Sequence, residues 1–367
     1  MTEDRKAYAH NRDRVTGSNG DALNSSDSAG ISGDELLRSD GERIGDSGDP
    51  LRSSGDALNS GGEYMIEVRA LTKRFENITA LDKMALHVPK GCVYGLVGQN
   101  GAGKTTLIRH IAGAYRPDAG EVLIDGERAW ENPHAKSRCV HISDDLFFVP
   151  SATMPDLASY YNGVYPRFNM DKFEKLKDVF SFDMKRRVSR FSKGMQKQAA
   201  LWLALCCMPD VMLLDEPVDG LDPLVRRTVW SLILDDVAER QTTVLISSHN
   251  LRELDGVSDH IGIMRSGKLA LEKSLADLQG SVTKLQIVFA PNTERGGAFS
   301  LPAGHEILHA GRSGHLAEYI VSGCAEEVLS AINTLNPQPL FAEAVPLTLE
   351  EIFIYEPGGT GHDEILN

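Results

Sequence analysis

The chain has 367 residues, with 38 Lys and Arg against 52 Asp and Glu, a formal charge of −14 and an isoelectric point near 5.3. That balance argues against a general nucleic-acid binder, and five cysteines without a C-x-x-C pair argue against a disulfide framework or zinc site and for a reducing compartment. No apolar targeting segment opens the chain, and the longest strongly apolar run, Ala199 to Met208, has ten residues against the about 20 that span a bilayer, so the chain is not expected to cross a membrane alone.

Residues 1–62 hold ten Gly, ten Ser, one aromatic (Tyr8) and twelve acids against seven bases. Such a segment buries too little apolar surface to offset chain entropy and reads as a disordered, low-complexity extension. A G-D-x-L unit recurs at Gly20, Gly33, Gly48 and Gly55, but its spacings of 13, 15 and 7 define no repeat period. From Glu63 the texture changes, and residues 63–280 read as one α/β domain. Tyr64–Leu71 and Met84–Val88 are short strands, and Cys92–Val97 is an apolar strand entering a Gly-rich loop. Thr106–Ala112 follows as an amphipathic helix with Leu107, Ile108 and Ile111 on one face.

Nine of the chain's 24 aromatics lie between Phe147 and Phe182, and Lys and Arg cluster at 172–190. This region reads as a helical insertion, a subdomain at about 145–200. Phe147, Phe148, Tyr160 and Tyr161 are expected mainly in its core, with a groove for a partner's helix as the alternative. Ala199–Met208 is expected as a buried helix. Val211–Leu214 and Thr243–Ile246 are further apolar strands, which together predict a mixed, mainly parallel sheet. Residues 281–367 read as a small α+β unit. It has strands at Thr283–Ala290 (Leu285, Ile287 and Phe289 inward), Ala317–Ser322 and Leu340–Val345, and a helix at Ala325–Leu335. A Thr348–Glu351 capping box opens a last helix.

Gly98-Gln99-Asn100-Gly101-Ala102-Gly103-Lys104-Thr105 matches G-x-x-x-x-G-K-[ST], with Thr106 next, between a strand and a helix. The glycines let backbone N–H groups converge on phosphates, Lys104 reaches the β and γ oxygens, and Thr105 offers a hydroxyl to Mg²⁺. Val211–Leu214 ends in Asp215 and Glu216: Asp215 suits a Mg²⁺ contact, and Glu216 can polarise an attacking water. The core is thus expected to be a P-loop NTPase that binds nucleotide phosphates with Mg²⁺.

These residues resemble the ATP-binding subunits of ABC transporters. Phe191-Ser192-Lys193-Gly194-Met195-Gln196 is similar to the family's signature motif, and Pro217–Pro223 to its D-loop. Ser247-Ser248-His249 is similar to its switch-histidine strand, and Phe75 to the aromatic that stacks on adenine. The resemblance covers roughly residues 64–280. It implies a head-to-tail dimer with a second ATP-binding subunit, in which Ser192, Gly194 and Asp222 contact nucleotide held by the partner chain. It also implies that His249 hydrogen-bonds the γ-phosphate beside Glu216. Two departures stand out. Lys193 and Met195 change the common L-S-G-G-Q signature to a form resembling export-type members. Asp144, in His141-Ile-Ser-Asp144-Asp145, stands where the family usually has a Gln that contacts Mg²⁺ and water; a carboxylate accepts but cannot donate there.

The expected function is therefore an ATPase subunit, cytoplasmic and peripheral on the membrane's inner face. It would power a separate multi-span subunit, with an exporter favoured and no nucleic acid expected. The competing expectation is a soluble ABC-type ATPase acting on nucleic acid, the ribosome or cofactor assembly. One cassette per chain, the short aromatic insertion and the acidic charge weigh against it.

Overall fold

The computed structural model describes residues 63–279, 282–288, 305–332 and 339–355. The extension read at 1–62, together with Phe289, lies outside them. Strands β1 (Tyr64–Phe75) and β2 (Ile78–Pro89) form an antiparallel hairpin, and β3 (Val93–Val97) runs into the phosphate-loop sequence and helix α1 (Lys104–Ile111). β4 (Ala119–Ile124) and β5 (Glu127–Arg128) return to the hairpin as an antiparallel sheet of order β2-β1-β4-β5. Next come α2 (Pro133–Ser137), β6 (Cys139–Ile142), and the helices α3 (Met154–Val164), α4 (Met170–Phe180) and α5 (Lys193–Cys206). β7 (Val211–Asp215), α6 (Pro223–Arg240), β8 (Thr243–Ser248), β9 (His260–Arg265) and β10 (Lys268–Ser274) complete the central sheet. Its order is β10-β9-β3-β8-β7-β6, parallel at every pairing except β9–β10.

Every residue of β3, β7 and β8 is buried, because both faces of the sheet are covered. Alternate side chains feed two cores. Val93, Val97, Met212, Leu214, Val244 and Ile246 face the helical insertion. Tyr94, Leu96, Val211, Leu213 and Leu245 pack with the antiparallel sheet and α1.

Helix starts follow their caps. Asn169 accepts from Lys172 N at α4, and Asp222 accepts from Leu224 N and Val225 N at α6, where Pro223 opens the helix. Thr153 and Asp156 form a reciprocal capping box on α3. The insertion is fastened to the core through buried Asp236 of α6, which receives Lys172 of α4 as well as Arg240 and Thr242.

Two of the four aromatics expected in the insertion's core are not there: Phe147 is 86% exposed and Tyr160 67% exposed, whereas Phe148 and Tyr161 pack against the core. The buried stripe of α3 is Met154, Leu157, Ala158 and Tyr161, the i, i+3, i+4, i+7 positions, and Tyr160 falls off it. Phe147 and Phe148 are neighbours in non-helical backbone, so burying one turns the other outward. The aromatic core is instead Trp202 stacked against Phe173 and Phe180, at 4.7 and 5.5 Å between ring centroids, with Phe182 alongside.

α7 (Leu275–Gln279) leads to the last unit: β11 (Val282–Val288), β12 (Ile307–Ser313), β13 (Leu316–Ser322), α8 (Ala325–Ile332), β14 (Phe341–Val345) and α9 (Leu349–Tyr355). Its antiparallel sheet has order β12-β13-β11-β14. Leu285, Ile287, Val321, Val328 and Ile332 form its own core, and Leu347, Leu349 and Ile352 join the main one. The Thr348–Glu351 box caps α9, and Arg252 grips Glu350 through both carboxylate oxygens at 3.1 Å. Among the described residues no helix is long and apolar enough to cross a membrane.

Trp202 is fully buried and its indole N–H donates to the Phe173 carbonyl at 3.1 Å. Trp202→Ala is expected to cost about 3–5 kcal/mol of stability by cavity formation and loss of this bond. Denaturant unfolding of the variant beside the parent checks this, and a loss below about 1 kcal/mol would contradict the packing described.

Candidate nucleotide site

The parallel register sets Val97 of β3 beside Ser248 of β8, and Ser247 beside Asp215 of β7. The strand ends therefore bring the phosphate loop, the two carboxylates and His249 to one edge of the sheet, where α/β folds carry their ligands. Gly98 N–H donates to the Ser248 carbonyl at 3.3 Å, which starts the loop on that edge. Gly103 precedes α1 with φ +105°, and a Cβ there would meet the Ala80 carbonyl oxygen at 2.6 Å. Only glycine fits that conformation and that approach.

The Lys104 ammonium is buried and donates to the carbonyls of Gly98 (2.5 Å) and Gln99 (3.4 Å). Glu216 Oε1 lies 3.7 Å away. Burial lowers the Lys104 pKa from its ordinary value, opposed by the charges of Glu216 and Asp215. The other Glu216 oxygen meets His249 Nδ1 at 2.9 Å. Burial pushes the Glu216 carboxyl above the usual carboxylate range, partly offset by the His249 hydrogen bond and the charges of His249 and Lys104. A carboxylate between an ammonium and an imidazole, with a raised proton affinity, is fit to take a proton from water.

Glu216 reaches this position in left-handed backbone, φ +49°. Its N–H donates to the Ser247 carbonyl (3.2 Å) and hydroxyl (3.3 Å), while that hydroxyl donates to Asp215. Asp215 is 2% exposed, so Ser247 supplies a partner its carboxylate needs. The hydroxyl of Thr105 and the carboxylate of Asp215 are hard oxygen ligands of the kind Mg²⁺ takes. Among the described residues no cluster of three or more His, Cys, Asp or Glu could hold a metal. A donor pair of this kind, one hydroxyl and one carboxylate, suits an Mg²⁺ that would take the rest of its shell from phosphate oxygens and water.

The remaining expected residues are spread around this edge. Phe75 ends β1, 42% exposed, with Tyr115 edge-on at 5.8 Å and the Lys73 ammonium over its ring at 5.4 Å from the centroid. Ser192 is the N-cap of α5 and accepts from Met195 N at 3.2 Å, which leaves its hydroxyl proton to donate. Among the described residues no hydrogen bond or ion pair joins Ser192 or Gly194 to the phosphate loop. Asp222 is engaged as the cap of α6. Asp144 is 54% exposed at its side chain and pairs with Lys197 Nζ at 3.0 Å. Lys197 lies outside the motif roles, and the motif that contains Ser247 assigns its hydroxyl none. Each acts through groups distant in sequence, and a lysine one turn into a helix otherwise reads as a solvated charge.

A family model described as ABC transporter matches residues 81–219. The ABC transporter ATP-binding protein YtrB of Bacillus subtilis (strain 168) is 30% identical over 295 residues, covering 80% of this chain and 99% of YtrB. The bacitracin transport ATP-binding protein BcrA of Enterococcus faecalis is 34% identical over 223 residues, 59% of this chain and 71% of BcrA. A solved ATP binding subunit of an ABC transporter aligns with a TM-score of 0.55 at 25% identity, over 59% of this chain and 92% of that one. A relation that spans nearly all of YtrB, on a fold whose strand ends carry phosphate loop, paired acids and histidine together, places this chain among the ABC transporter ATP-binding proteins, the cassettes that bind and hydrolyse ATP.

Proposed function

We propose that this ATPase works as a pair of cassettes that close head to tail on two MgATP and drive a separate multi-span membrane subunit from the cytoplasmic side. The observation that carries the reading is Glu216, set between Lys104 and His249 at the ends of adjacent parallel strands. The transport names of YtrB and BcrA support a membrane partner, and the bacitracin transport named for BcrA supports the exporter reading.

In this reading Phe75 stacks on adenine, and residues Gly98 to Thr106 wrap the phosphates, with Lys104 on the β and γ oxygens. Thr105 and Asp215 hold Mg²⁺, which when bound neutralises phosphate charge. Glu216 accepts the proton of the attacking water, and His249 orients that carboxylate and donates to the γ-phosphate. Ser192, Gly194 and Asp222 complete the site from the second chain, the helix N-terminus at Ser192 favouring the anion. A chain with one phosphate loop and one signature needs a second copy or a paralogue for this.

Glu216→Gln keeps the shape of the side chain and removes its basicity. Turnover is expected to fall about 10²–10⁴-fold. ATP binding persists, and light scattering with ATP shows an accumulated dimer; unchanged turnover overturns the base assignment. The pH dependence has a definite sign. The base works only when deprotonated, so kcat/KM falls as pH drops through the raised Glu216 value. The acid limb then lies above the about 4.3 of an ordinary glutamate. A limb at or below that value contradicts the buried-base reading.

A further inference from the structure

The Lys197 side chain is 12% exposed, and its ammonium makes three contacts: the Glu216 carbonyl at 2.8 Å, the Asp219 carbonyl at 3.1 Å and Asp144 Oδ1 at 3.0 Å. Two of its N–H groups donate to backbone carbonyls, and the Asp144 carboxylate supplies the counter-charge. Both carbonyls belong to the chain that turns away from the end of β7. The first is the carbonyl of Glu216 itself, the residue in left-handed backbone. A non-glycine residue holds that conformation only when its surroundings over-determine it. Ser247 fixes the N–H side of Glu216, and Lys197 fixes the carbonyl side. Together they set the direction of a carboxylate that must sit between Lys104 and His249.

Resting on the base reading of Glu216, we infer that Lys197 is a positioning residue for hydrolysis, which clamps the Glu216–Asp219 turn to α5 and is itself anchored by Asp144. Asp144 thereby acts through Lys197, a role a carboxylate can fill and the neutral Gln usual at that place in the family cannot fill as a charge partner. The arrangement also joins two halves of the site. Ser192 caps α5 and Lys197 lies little more than one turn further along it. A nucleotide held at the N-terminus of α5 by the partner chain is therefore linked, through a short rigid piece of helix, to the peptide that aims the base. A misplacement of about 1 Å at a catalytic group can cost about 10²-fold in rate, so the clamp should act on kcat with nucleotide binding intact.

The test uses the purified full-length chain as Lys197→Met, Lys197→Arg, Asp144→Asn, Glu216→Gln and the Lys197→Met/Glu216→Gln double variant. kcat and KM for ATP are measured by steady-state turnover, slow variants by single turnover, and folding is checked by thermal melting. Lys197→Met is expected to lower kcat about 10–100-fold with KM within about twofold. Lys197→Arg, which keeps the charge and several donors, recovers most of the loss, and Asp144→Asn shows a smaller fall in kcat alone. In the Glu216→Gln background Lys197→Met adds little, because the group it aims is already gone. Wild-type kcat in Lys197→Met, or an equal further loss in the Glu216→Gln background, overturns the inference. Should Lys197→Met not fold, wild-type kcat in Asp144→Asn overturns the anchoring role. Full activity in Glu216→Gln would instead remove the base reading, a different failure from an inactive Glu216→Gln beside an unaffected Lys197→Met.

Discussion

The register of three parallel strands governs this site. β3, β8 and β7 lie side by side with Val97 opposite Ser248 and Ser247 opposite Asp215, so the loop, the histidine and the two acids leave the sheet at the same level. A slip of one residue on β8 would turn Ser247 away from Asp215 and exchange the faces of Val244, Leu245 and Ile246 between the two cores. Burial on both faces forbids that slip, and the chemistry at the edge inherits its order from the packing below it.

The elements around this sheet divide the remaining work. The antiparallel hairpin ends in Phe75, and its Ala80 carbonyl crowds Gly103 from the outside. The helical insertion carries Ser192 and Lys197 on one helix, tied to the core by the buried Asp236 cluster and by the aromatic stack on Trp202. The C-terminal unit touches the segment just beyond His249 through Arg252 and Glu350, and shares apolar side chains with the main core. Every piece that touches nucleotide in the proposed cycle is thus fastened to a neighbour by at least one buried or charge-assisted contact.

Much of this was legible in the sequence, for physical reasons. Strands covered on both faces read as unbroken apolar runs, and Val93–Val97, Val211–Asp215 and Thr243–Ser248 do. The phosphate loop is legible because left-handed turns and close backbone approach demand glycine at fixed offsets, as Gly103 shows. The paired acids stand out because they end an apolar strand. Less visible were β10 and β12, whose mixed or half-exposed patterns give no clean alternation. Phe147 and Tyr160 misled because composition alone does not say which face of a segment is inward. Lys197 was invisible because its three partners lie at 144, 216 and 219, brought to it only by the fold.

What most directly tests the account is whether a working site is completed by a second chain. Gly194 has room for a side chain, meeting only the end of Leu221 at 3.3 Å, so Gly194→Asp would place a carboxylate at the signature without crowding backbone. That charge would repel a partner's triphosphate, while Lys104→Ala disables the phosphate loop. ATP turnover is measured for each variant alone and for the two mixed. The account predicts that each alone is inactive and that the mixture regains activity, because pairing joins the intact loop of one chain to the intact signature of the other. A mixture as inactive as its components, or full activity of Gly194→Asp by itself, would contradict it.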